Sequence, residues 1–148
     1  MSLHIRPLQA DDHVQWQRLW AIYLAYYETA LPEEVSATTW HRLLNADHPH
    51  INGLIALEGD EPVGMVHYIF HASTFELADV CYLEDLVVQP ESRGKSYGRA
   101  LIEAVYAAAD AAGCPSVYWM TQHFNAVGRR LYDRVGELTP FIRYDRPG

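Results

Sequence analysis

Residues 79–121 carry the pattern that most narrows the fold of this chain. The run DVCYLEDLVV is rich in valine, leucine and tyrosine and reads as a strand. If it is regularly extended, Val80, Tyr82, Glu84, Leu86 and Val88 share one face and Asp85 lies on the other. Residues 97–112 then set Leu101, Ile102, Val105 and Ala109 on a single helical stripe, closed by Gly113 and Pro115. Residues 116–121 read as a strand again. A strand–helix–strand crossover brings its two strands parallel within one sheet, which makes the chain mixed α/β.

The remaining segments fit around that unit. Residues 3–8 read as a strand closed by Pro7, with Asp11 or Asp12 placed to cap the next element. Trp16, Leu19, Trp20, Tyr23 and Tyr27 recur at helical spacing over residues 12–30, and a second helix spans residues 33–46. Residues 54–58 and 63–71 form two β-rich runs joined by a glycine-containing link. A helix over 126–135 and a last strand over 141–144 complete the order. With 148 residues, the chain suits one domain, residues 1–148, with a single core.

Charge and cysteines exclude other classes. A net charge of −8 disfavours nucleic acid as a partner. Cys81 and Cys114 are far apart and have no CxxC neighbour, so neither a disulfide framework nor a metal site is expected. No apolar run approaches the ~18 residues a membrane span needs, and the N-terminus lacks a secretory pattern, so a cytoplasmic protein away from membranes is expected.

The turn before the third helix, ESRGKSYGRA, contains Gly-Lys-Ser. A nucleotide P-loop requires glycine five residues before Gly94, and Gln89 stands there. The dinucleotide pattern fails as well, because Gly94 and Gly98 are separated by three residues. What remains is a strand leading through small residues into a helix whose first N–H groups lack intrahelical acceptors, a site suited to phosphate. Arg93, Lys95 and Arg99 add positive charge there.

Arg93-Gly94-Lys95-Ser96-Tyr97-Gly98 resembles the pyrophosphate loop of the GNAT N-acetyltransferases. Residues 82–90 resemble that family's fourth strand, closest to its spermidine/spermine and histone-and-polyamine groups. Asn125 and the segment 131–136 resemble its second cofactor motif. The resemblance implies a GNAT fold: a mixed sheet of six to seven strands, four flanking helices and splayed parallel strands at the cofactor site. It also implies acetyl-CoA as cosubstrate and no metal. Backbone groups of Leu86, Val87 and Val88, the loop residues Arg93, Gly94, Lys95, Ser96, Tyr97, Gly98 and Arg99, and Asn125 are the cofactor-binding set. Ser96 departs from the pattern, since glycine is usual there; a positive φ at this position costs serine about 1 kcal/mol or more.

The chemistry assigns further roles. An alkylammonium has a pKa near 10.4, so the attacking amine needs a base, and by resemblance Glu84 is that base. Tyr132 corresponds to the family's general acid, protonating the departing thiolate. Asp85, Tyr27 and Glu28, within an aromatic and acidic cluster that includes Tyr23, Tyr26, Glu33 and Glu34, are candidates for holding a cationic acceptor. His67, His71 and His123 are alternative bases. The expected reaction acetylates a small primary amine, a polyamine or amino acid for example. A protein lysine or N-terminus as acceptor, and a non-catalytic acyl-CoA-binding module, are the alternatives. The aromatic content adds the expectation of a homodimer.

Overall fold

The computed structural model describes residues 2–148. Strand β1 (Leu3–Pro7) leads through a short 3-10 turn into helices α1 (His13–Tyr26) and α2 (Glu33–Leu44). Strands β2 (Ile51–Glu58), β3 (Glu61–His71) and β4 (Val80–Val88) come next, then α3 (Tyr97–Ala111), β5 (Val117–Tyr118) and α4 (Ala126–Val135). The sheet has five strands in the order β1-β2-β3-β4-β5. The first three pairings are antiparallel, and β4 and β5 are parallel. None of the described helices is long and apolar enough to cross a membrane.

Helices cover both faces of the sheet, so its central strands read as nearly continuous apolar runs rather than alternating ones. On one face Leu54, Ala56, Val66, Tyr68, Cys81 and Leu83 pack against Leu101, Ile102, Val105 and Ala109 of α3. Full burial of each large aliphatic side chain there contributes about 1.5–3 kcal/mol. On the other face Ile55, Met65 and Val87 meet Trp16, Leu19 and Trp20 of α1. The start of α1 is set by Asp12, which accepts a bidentate pair from Arg6 at 2.8 and 2.9 Å and the N–H of Gln9 at 2.7 Å.

Two sequence expectations need correction. The sheet has five strands rather than six or seven, because residues 141–144 join no strand. Leu138, Phe141, Ile142 and Tyr144 are instead exposed. The regular alternation of β4 also fails. His67 pairs with Asp85 while the next residue, Tyr68, pairs with Leu83, so the ladder skips Glu84. Such a bulge shifts which residues face which side. Cys81 and Leu83 before it, and Leu86 and Val88 after it, all pack toward α3.

Candidate active site

The site begins where two strands separate. β4 and β5 pair at only two positions, Cys81 with Val117 and Tyr82 with Tyr118. From Leu83 to Val88, β4 continues with no partner on that side. The opening is a cleft lined by Leu83, Glu84 and Leu86 of β4, Trp119 and Met120 just after β5, Ile102 of α3 and Tyr132 of α4. Tyr23 and Tyr27 close it from the α1 side. Backbone polar groups along an unpaired strand edge are available to an extended ligand. Val87 and Val88 prolong that edge, with the Val87 side chain buried toward α1.

At the end of β4 the chain is held by a polar cluster that the sequence does not announce. Arg18 donates to Gln89 Oε1 at 2.9 Å and to the Pro62 carbonyl at 2.8 Å. Gln89, almost fully buried, donates in turn to Ser92 Oγ at 2.9 Å. This fixes the 3-10 turn Pro90–Ser92 and aims the loop after it. Gly94 has φ +82° and Ser96 φ +66°, and α3 starts directly after Ser96 with no side-chain cap. The first N–H groups of α3 therefore open toward solvent at the positive end of the helix dipole.

The basic side chains of the loop face elsewhere. Lys95 reaches Glu58 at 3.5 Å, and the Tyr97 hydroxyl donates to the same carboxylate. Arg99 pairs with Glu103 at 2.7 Å, and Arg93 donates to the Val88 carbonyl at 3.1 Å. What the turn leaves unengaged is thus its backbone N–H groups rather than its basic side chains. Ser96 occupies the left-handed region, where a side chain is strained. Replacing it with glycine should raise stability by about 1 kcal/mol, or the midpoint by roughly 3 °C in a domain of this size. Thermal unfolding of S96G against the parent measures this; an unchanged or lower midpoint counts against strain at this residue.

Tyr132 projects from α4 into the cleft, its ring edge-on to Trp119 at 5.7 Å. Burial, then the neighbouring Tyr27 and Tyr26, pushes its phenol up to about 12. It therefore carries its proton at neutral pH. Asn125 caps α4: its Oδ1 accepts the Gly128 N–H at 3.1 Å and its Nδ2 donates to Thr121 at 3.0 Å. A side chain at Gly128 would collide with it, a Cβ lying 2.4 Å from Asn125 Nδ2.

The two adjacent acids are separated by the bulge. Glu84 faces the cleft, and desolvation, then the charge of Asp85, raises its pKa above the ordinary glutamate range. Its side chain is nonetheless exposed at the cleft mouth, so solvent damps the shift. Asp85 instead meets His67 across the ladder, with His67 Nδ1 2.9 Å from Asp85 Oδ2. The Trp16 indole N–H donates to His67 Nε2 at 3.0 Å. Indole is only a donor, so Nε2 accepts and the proton of the neutral ring sits on Nδ1, directed at Asp85. His67 is 3% exposed and both its nitrogens are engaged, which leaves it no lone pair for a substrate.

Of the other candidates, His71, His123 and Glu28 fall outside the cleft wall. His71 bonds the Tyr118 hydroxyl at 2.7 Å on the surface, and His123 stacks edge-on against Phe124. Glu28 sits exposed just past α1 with φ +52°, where the helix ends through bonds to Ala25 and Leu24. Tyr27 is in the wall beside Tyr23, whose burial and nearness to Asp85 strongly raise its pKa. Trp119 and Met120 are wall residues that sequence spacing does not single out. No cluster of three or more metal-ligating side chains occurs among the described residues.

Comparisons with known proteins agree with this geometry. A family model described as the acetyltransferase (GNAT) family matches residues 16–136. A D-amino-acid N-acetyltransferase, HPA3, of Saccharomyces cerevisiae is 34% identical over 97% of this chain and 90% of its own. A thialysine N-epsilon-acetyltransferase of Caenorhabditis elegans is 29% identical over 57% of this chain and 52% of its own. Among solved structures, the aminoglycoside acetyltransferase AAC(6')-Iy with a CoA-containing bisubstrate analogue superposes with a TM-score of 0.86. The two are 19% identical, over 100% of this chain and 99% of that one.

Proposed function

Because the chain belongs to the GNAT acetyltransferase family, we propose that it transfers an acetyl group from acetyl-CoA to a primary amine of a small molecule. The observation that carries this is the divergence of β4 and β5 above the amide-lined start of α3, with Glu84 and Tyr132 both lining the gap. The unpaired edge of residues 86–88 is positioned to hydrogen-bond the pantetheine arm of the donor. N–H groups over residues 94–98 would hold its diphosphate, an interaction that needs no lysine or arginine side chain. Asn125, already engaged in its cap, would contact the arm from the opposite wall.

Glu84, with its raised pKa, takes the ammonium proton, directly or through water; the free amine then attacks the acetyl carbon. The amine nitrogen forms the new amide bond as the carbon–sulfur bond breaks. Tyr132 gives its proton to the departing sulfur, and the second proton shed by the acylated nitrogen returns to the Tyr132 phenolate, directly or through water. Neither cysteine is required: Cys81 is buried, and burial drives its thiol up to about 11.

Tyr23 and Tyr27 narrow the acceptor side, which suits a small amine better than a flat protein surface. The activities named for the yeast and nematode relatives favour amino acids and amino-acid-like amines as first candidates, with polyamines beside them. Thiol release from acetyl-CoA against a panel of D- and L-amino acids, polyamines, aminoglycosides and basic peptides tests this reading. Release with small amines and none with peptides is expected. Measurable CoA binding by calorimetry with no release across the panel would instead identify a binding module.

A further inference from the structure

The carboxylate of Glu58 stands apart from the cleft and joins no step of the transfer. It closes β2, beside the tight turn into β3 where Gly59 takes φ +63°. Pairing of Ala56 with Gly64, and of Gly64 with Val88, puts that turn at the same end of the sheet as the loop leaving β4. Glu58 therefore meets residues 94–98 across the strand ends, although 37 positions separate it from Lys95.

Two side chains of the loop converge on it. The Tyr97 hydroxyl donates to Glu58 Oε2, and Lys95 Nζ lies 3.5 Å from the same oxygen. Lys95 also sits over the Tyr97 ring, 5.9 Å from its centroid. The tyrosine bond lowers the pKa of the carboxyl and raises that of the phenol, so near neutrality an ion accepts from a protonated donor. Between the two tethered residues lies Ser96, at φ +66°. A side chain stays in that region only where its surroundings overdetermine it. Ser96 makes no capping bond of its own to α3, so the constraint comes from its neighbours, both held by one carboxylate.

Charge alone argues against a carboxylate here, because it repels an incoming diphosphate and neutralises Lys95. Order offsets that repulsion: a loop already in its binding shape loses less freedom when the ligand arrives. We propose that Glu58 is a positioning residue for the coenzyme, a clamp that grips Tyr97 and Lys95 from the β2–β3 turn and so keeps Ser96 left-handed and the N–H groups of 94–98 in place. The clamp rests on the reading of that loop as the diphosphate site.

Calorimetry with CoA separates the two claims. A parent that binds no CoA sinks the diphosphate site and the clamp together; a parent that binds, with E58A binding equally well, sinks the clamp alone. The expected result for E58A is a Kd raised about ten-fold, with KM for acetyl-CoA rising alongside and kcat at saturation within about two-fold. E58Q, whose amide oxygen still accepts from Tyr97, should stay within about three-fold of the parent. Y97F, which loses only the hydroxyl, should follow E58A. In an S96G background glycine holds the positive φ unaided, so E58A should there cost no more than about two-fold. Tighter binding by E58A would show that charge outweighs order, and an equal penalty in both backgrounds would show that Ser96 is not what Glu58 holds; either overturns the proposal.

Discussion

Replacing Tyr132 with phenylalanine should lower turnover by about 10²–10⁴-fold, the usual contribution of a positioned general acid, while leaving acetyl-CoA affinity within a few-fold of the parent. The ring's contacts with Trp119 survive, because phenylalanine keeps the apolar edge that packs there. Only the proton is lost. A phenol held near 12 by burial is fully protonated across the neutral range, so no limb of the parent's pH profile should report it below pH 9 or so. Calorimetry of CoA binding paired with single-turnover rates checks both halves. Equal turnover in the two proteins removes Tyr132 from the reaction; lost binding makes it a ligand contact instead.

The second large effect is at Glu84. Glutamine at this position keeps size and polarity but cannot take a proton. Activity near neutrality should fall about 10²-fold and recover only as pH climbs toward the acceptor's own pKa, where free amine accumulates unaided. The parent's acid limb in kcat/KM should lie somewhat above that of an ordinary glutamate, because partial desolvation and then the charge of Asp85 both disfavour ionisation. Asp85→Asn acts in the opposite direction. Removing a neighbouring negative charge eases ionisation of Glu84, so the acid limb moves to lower pH while partial desolvation keeps part of the shift. A limb that stays put in D85N, or a Glu84→Gln profile that overlays the parent's, excludes Glu84 as the base.

The crossover and its helix are legible in the sequence because α3 obeys a 3.6-residue period with glycine and proline stops, and hydrophobic burial enforces that period. The loop before it is legible through Gly94 and Gly98, whose spacing rules out the dinucleotide turn, as Gln89 rules out the nucleotide P-loop. The bulge is not. Nothing in LEDL states that the ladder skips a residue, since the slip is set by packing of β4 between α1 and α3. The bonding of His67 to Trp16 and Asp85 spans 51 and 18 residues, and no local pattern reports such partners. The strand expected over 141–144 has the right alternation but pairs with no edge of its own sheet. Alternation shows a readiness to pair, not the identity of the neighbour.

The skipped position has a practical consequence. Glu84 stands outside the pairing between β3 and β4, so its side chain is tied neither to strand register nor to the two apolar layers. Exchanging it for residues of other length or polarity should leave the scaffold intact while reshaping the mouth that greets the incoming nucleophile. Activity lost in such variants therefore reports on the missing base and not on a damaged fold.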